Sequence, residues 1–166
     1  IEASYVPLSK EEVRRARRAY FANVSYFDSK IGELVQTLEE TGERDNTVVI
    51  VTADHGDMLG ERGLWYKMSF FEHSARVPLV MAGPGVARGT AQNAVSLVDL
   101  LPTFLEIAGG SLDMLGEPID GRSLMSLARG EEDSVDEAIG EYCAEMAEAP
   151  VIMIRRGPLK YIHCDI

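Results

Sequence analysis

Thr47-Val48-Val49-Ile50-Val51-Thr52-Ala53-Asp54-His55-Gly56-Asp57 is the stretch on which the fold turns. Its first six residues are all β-branched, and a continuous run of this kind reads as a strand buried on both faces, as in a parallel sheet. Open α/β sheets gather ligands at the carboxyl ends of their strands, and here a carboxylate, an imidazole and a glycine follow in succession. Neighbours in a regular strand point to opposite faces, so Asp54 and His55 reach one ion only if the strand breaks there, a break Gly56 permits. A carboxylate beside an imidazole suits a divalent cation. Two donors are too few, because calcium takes about six to eight and zinc about four, so further ligands must come from elsewhere. The competing reading is local: Asp54 caps a following turn and His55 packs against it.

Upstream, Ser9-Lys10-Glu11-Glu12 reads as a capping box, followed by apolar residues at Val13, Ala16, Tyr20, Val24, Phe27, Ile31, Leu34 and Leu38. Steps of three and four predict one long amphipathic helix that ends at Gly42. Downstream, Pro78-Leu79-Val80-Met81-Ala82 is a second apolar segment closed by Gly83-Pro84-Gly85. A further helix is expected from Asp99, as its cap, through Pro102, Phe104, Leu105 and Ala108 to Gly109-Gly110. Strand, connection, strand, helix is an α/β rhythm. Past Gly121 the pattern weakens into an acidic stretch at Glu131 to Glu137. Val151 to Ile154 and Tyr161 to Ile162 then flank a turn at Arg156-Gly157-Pro158, which predicts a small antiparallel unit.

With 46% hydrophobic and 26% charged residues, the 166-residue chain reads as globular. No apolar run approaches the roughly 18 to 20 residues of a membrane helix, so no membrane partner is expected. The net charge of −11 disfavours nucleic acid. The basic cluster Arg14, Arg15, Arg17 and Arg18 reads as a solvated helix face. Cys143 and Cys164 make no disulfide framework and no zinc site; they read as bystander thiols and suggest a cytoplasmic protein.

The metal-type motif is followed by Gly60-Glu61-Arg62-Gly63-Leu64-Trp65-Tyr66-Lys67 and Phe71-Glu72-His73-Ser74-Ala75-Arg76-Val77-Pro78. With the long helix and the apolar strand, this order resembles the sulfatase branch of the alkaline phosphatase superfamily. Members carry an (S/T)-x-D-(H/N)-G metal motif, a downstream lysine and an E-x-x-x-R-V-P segment. Val95 to Thr103 and Asp120-Gly121-Arg122-Ser123-Leu124 extend the resemblance over nearly the whole chain. The wording from Asp54 to Lys67, with Glu141 to Glu145 and Val151 to Gly157, is most similar to choline sulfatases.

The resemblance implies an α/β fold that is part of an alkaline-phosphatase-like sandwich, a parallel-type sheet with flanking helices, followed by the start of a small antiparallel C-terminal unit. Residues 1–120 would be the C-terminal portion of the catalytic domain and 121–166 the start of the small subdomain. Asp54 and His55 would ligate a divalent metal, calcium first and manganese second. Lys67 would hold the sulfate oxygens and steady the leaving oxygen, where a fixed positive charge is most effective. Choline sulfate is the implied substrate, Glu145 the candidate carboxylate for its quaternary ammonium, and Trp65 and Tyr66 either aromatic walls or core. Arg76 reads as structural, paired with Glu72, while the role of His73 stays open.

Sulfatases of this family use a formylglycine made from a Cys/Ser-x-Pro-x-Arg motif, and neither that motif nor the family's N-terminal aspartate pair occurs here. The formylglycine is therefore expected in a missing N-terminal part, the chain being a fragment, inert alone and a poor binder of metal. An unpaired edge on the strand at Thr47 to Thr52 predicts a homo-oligomer. Two readings compete: a phosphodiester or phosphonate monoester hydrolase of the same superfamily, and a non-catalytic assembly fragment.

Overall fold

Helix α1 spans Lys10–Glu40, and its start follows from the capping box. Ser9 Oγ accepts the Glu12 N–H at 3.3 Å, and Glu12 Oε2 accepts the Ser9 N–H at 2.8 Å. Its end is set by Gly42 at φ 75°, whose N–H donates to Glu39 O while the Glu43 N–H donates to Leu38 O. That pair of bonds is the Schellman closure for which glycine is suited. Residues 5–131, 133–144 and 148–164 are described by this computed structural model. They divide into two compact units, one built mainly on residues up to Val80 and the other mainly on residues from Met81 onward.

In the first unit, Val13, Ala16, Tyr20, Ile31 and Leu38 of α1 are half-buried. Val24, Phe27 and Leu34 were expected on the same buried face but are 49–55% exposed. The apolar period is therefore right while the cover over the middle of the helix does not come from the described residues. Strand β1 (Val49–Thr52) is shorter than the six-residue run, because Thr47 and Val48 lie in the connection from a 3-10 turn at Arg44–Asn46. It pairs with β4 (Leu79–Ala82), and each of its residues is half-buried rather than fully buried, since among the described residues it has one neighbouring strand.

Between these strands the chain forms a small hairpin absent from the sequence reading. Strands β2 (Met58–Leu59) and β3 (Trp65–Tyr66) are antiparallel, with Met58 opposite Tyr66 and Leu59 opposite Trp65. Gly60 and Gly63 at φ 92° and 74° make the connection. Met58, Leu64 and Ser74 are the buried residues of this region, and Ser74 lies on the single-turn helix α2 (Glu72–Ala75).

The second unit has helix α3 (Leu100–Ile107), closed at Gly109, φ 74°, by the same device as α1. Asp99 does not cap it. Its carboxylate instead accepts the N–H groups of Ser96 at 2.8 Å and Arg122 at 3.0 Å, while Thr103 Oγ1 donates to Asp99 O and accepts the Leu124 N–H. A β-carbon on Gly121 would lie 2.1 Å from Val98 O, so the Asp120-Gly121-Arg122 turn seats directly on the start of α3. Leu124 and Met125, which opens the short helix α4 (Met125–Ala128), are buried here. The antiparallel sheet has three strands: β5 (Glu137–Tyr142), β6 (Val151–Arg156) and β7 (Leu159–Cys164). The sequence showed the second and third. The first was hidden because Glu137 and Glu141, the latter opposite Ile152, interrupt its apolar pattern.

Candidate functional site

The chain leaves β1 at Thr52 and bends at Asp54. The bend removes the alternation of a regular strand, so Asp54 and His55 turn to one side: Asp54 Oδ2 lies 3.3 Å from His55 Nε2, and Asp54 Oδ1 accepts the His55 N–H at 3.0 Å. Gly56 contributes differently from the expectation. Its φ is not left-handed; its role is space, since a β-carbon there would stand 2.1 Å from His73 O. The Gly56 N–H donates to Ser74 O at 2.7 Å, which fastens the loop to α2.

His55 Nδ1 lies 2.8 Å from Gly56 O. A carbonyl can only accept, so Nδ1 carries the proton and a lone pair is left on Nε2. This is the arrangement in which a backbone oxygen orients a metal-binding imidazole. The Lys67 ammonium donates to that Nε2 at 2.7 Å. Asp54, His55 and Lys67 thus converge at one corner, with the aspartate side chain 83% exposed and the imidazole 32% exposed. A carboxylate oxygen and an imidazole nitrogen this close fit two positions of a divalent metal's shell, the nitrogen once Lys67 releases the lone pair it now holds. Among the described residues no group of three or more His, Cys, Asp or Glu is gathered for a metal, so the donor set here is this pair.

Lys67 is placed by its backbone. Its carbonyl accepts the Ser69 N–H at 2.6 Å and the hydroxyl of Ser74. The preceding Tyr66 holds φ 68°, and Arg62, at φ 57°, stacks its guanidinium 4.7 Å from the Phe71 ring centroid. Such left-handed non-glycine residues persist where surrounding contacts over-determine them. Trp65 lies half-buried beside Gly60, while Tyr66 is 60% exposed. Arg76 reaches Glu72 at 3.9 Å, as the spacing anticipates, on an exposed surface where such a pair adds little stability. Glu145 lies outside the described residues.

Helix α1 clamps the loop that follows the aspartate and histidine, a feature the sequence did not reveal. Arg17 is not simply part of a solvated face: Nε donates to Leu59 O at 2.9 Å and a guanidinium nitrogen meets Glu61 Oε1 at 2.6 Å. Burial alone would raise the Glu61 carboxyl, but the N–H groups of Leu59 and of Glu61 itself, with the charges of Arg17 and His73, hold it below its ordinary value. Partial burial, with the charge and hydrogen bond of Asp57, raises the Tyr20 phenol above its usual range. Arg17 and Tyr20 share one helix face at a spacing of three, yet nothing in the sequence links that face to a loop some forty residues on.

Residues 2–111 match the sulfatase family model, and residues 60–163 match the model described as N-sulphoglucosamine sulphohydrolase, C-terminal. A choline-sulfatase of Rhizobium meliloti (strain 1021) is 50% identical over 159 residues, covering 96% of this chain and 31% of that protein. Arylsulfatase K of Danio rerio is 38% identical over 160 residues, 93% of this chain and 30% of its own length. Among solved structures, the phosphonate monoester hydrolase from Silicibacter pomeroyi superposes with a TM-score of 0.84 at 27% identity, covering 96% of this chain and 34% of that one. The chain thus spans about a third of the length of the relatives it matches. With the sulfatase model matched over residues 2–111, a stretch that holds the Asp-His-Gly loop, Lys67 and the Glu72-to-Pro78 segment, the chain belongs to the sulfatase family.

Proposed function

We propose that this chain supplies the metal-and-sulfate corner of a sulfuric ester hydrolase whose substrate is choline sulfate. The observation that carries the reading is the convergence of Asp54 Oδ2, His55 Nε2 and Lys67 Nζ just past β1, at separations of 3.3 and 2.7 Å. Asp54 and His55 would hold a divalent cation, calcium before manganese, and that cation supplies electrostatic stabilisation of the sulfuryl oxygens. Lys67 delivers a positive charge to the same corner, where it binds a sulfate oxygen and offsets negative charge that builds on the departing alcohol oxygen. His55, with its Nδ1 proton committed to Gly56 O, has its one lone pair on Nε2; Lys67 donates to it here, and would turn from it to the sulfate oxygen when the cation takes that lone pair, so His55 does not serve as the proton donor.

The formylglycine nucleophile and the remaining ligands belong, in this reading, to a preceding part of a longer protein, with residues 1–120 completing the catalytic domain and 121–166 opening the small subdomain. The chain alone is then inert. Glu145 is retained as the carboxylate facing the choline ammonium, supported by its place in the stretch shared with choline sulfatases. A cytoplasmic location and assembly into a homo-oligomer complete the proposal, the first on the two free, exposed cysteines and the second on the edge of β1.

A second reading, hydrolysis of a phosphonate monoester, is favoured by the superposition on the Silicibacter pomeroyi enzyme. The two separate in a substrate panel. The full-length protein should hydrolyse choline sulfate with a kcat/KM at least about tenfold above that for an aryl sulfate or a phenyl phosphonate monoester, a difference of about 1.4 kcal/mol in transition-state binding. Preference for the phosphonate would overturn the sulfatase reading, and preference for the aryl sulfate would remove choline alone.

A further inference from the structure

Ser74 is 2% exposed and carries two links at once. Its carbonyl accepts the Gly56 N–H at 2.7 Å, and its hydroxyl donates to the carbonyl of Lys67. The first link holds the loop that presents Asp54 and His55; the second holds the backbone from which the Lys67 side chain extends to Nε2 of that same histidine. Its own N–H is engaged with Phe71 O at 3.0 Å, so the residue is fixed before it fixes others.

We propose that Ser74 is a positioning residue that sets the separation between Lys67 and the Asp54–His55 pair, an inference that rests on the role given to Lys67 above. A buried hydroxyl needs a partner, and the Lys67 carbonyl is the one it has found. That carbonyl follows Tyr66, held at φ 68°, a backbone state that relaxes unless neighbouring contacts oppose it. The Ser74 hydroxyl and the Ser69 N–H are the two donors that do so at Lys67 O. With one removed, the lysine backbone is free to shift. A flexible four-carbon stem does not correct the shift without losing rotamer order. Misplacement of a charge-bearing group by about 1 Å costs on the order of 100-fold in rate. The Gly56 link is made by the Ser74 backbone and survives any side-chain change, so metal retention is insulated from the lysine's placement.

The test is a double-mutant cycle in the full-length enzyme with Ser74→Ala, Lys67→Ala and the pair, reading hydrolysis of choline sulfate, bound metal and the melting temperature. Ser74→Ala should lower kcat by about 10- to 100-fold with KM and metal content little changed. In the Lys67→Ala background the same change should cost nothing further, because there is no ammonium left to place. Equal losses in both backgrounds would show that Ser74 supports the fold generally, and would overturn the inference. If Lys67→Ala itself turns over like the wild type, the role of the lysine falls instead, which is a different failure. Should the alanine cavity prevent folding, Ser74→Cys fills the space with a weaker donor and is expected to give the same lysine-dependent loss; a loss independent of Lys67 overturns the inference there too.

Discussion

At position 56 glycine is required because His73 O occupies the place a β-carbon would take, at 2.1 Å. Both partners are backbone, so neither can swing aside. Gly56→Ala should therefore destabilise the protein by about 1–3 kcal/mol, as overpacking does, and loosen the loop bearing Asp54 and His55. Chemical denaturation measures the first effect, and an unchanged midpoint would show that the close approach is not maintained in solution. At this scale the sequence was legible where chemistry is local. A carboxylate beside an imidazole at a strand end could be read as a pair, and the two side chains do meet. The family pattern singled out Lys67 as a sulfate-binding group but not its bond to His55, and Ser74 was not legible at all, because a buried serine looks like any other until the carbonyl it serves is seen.

Among elements, the clamp between α1 and the 57–61 loop dominates the surroundings of the site. Arg17 bonds Leu59 O and Glu61, so Arg17→Ala should cost about 1 kcal/mol and lower the melting temperature, whereas Arg15→Ala on the exposed side should leave it unchanged. Equal melting of both variants with the wild type would contradict the clamp. Glu61 also gives the clamp a pH dependence. Its folded value is lowered from 4.5, so its contribution is complete above about pH 4.5 and is lost as pH falls through the lower folded value. The acid limb of a stability–pH curve should accordingly flatten in Glu61→Gln, and an unchanged limb would count against it. Helix ends and the strand were legible because capping boxes, left-handed glycines and β-branched runs act within a few residues. The hairpin of β2 and β3 was not, since each strand has two residues and its turn departs from two-residue hairpin chemistry. Strand β5 was missed because two of its six residues, Glu137 and Glu141, are acidic and break the apolar pattern.

For the whole molecule, the middle of α1 leaves Phe21, Val24, Tyr26, Phe27 and Leu34 each 49% exposed or more, and β1 has one neighbouring strand among the described residues. Apolar surface and an open edge of this kind favour association, so this 166-residue chain alone should be dimeric or larger at micromolar concentration; light scattering that returns the monomer mass of 18.2 kDa would contradict it. The apolar run from Thr47 to Thr52 reads as a strand covered on both faces, whereas the four residues that form β1 are half-buried, since a single chain's pattern states a need for cover and not its source.

In the proposed function Asp54 and His55 act as one cation-holding pair beside Lys67. That role is tested most directly by measuring bound divalent metal and choline sulfate hydrolysis together in the full-length enzyme carrying Asp54→Asn or His55→Ala. Each variant should lose metal affinity by at least about 10-fold, with kcat/KM falling about 100-fold or more. Wild-type metal content and turnover in either variant would contradict the account.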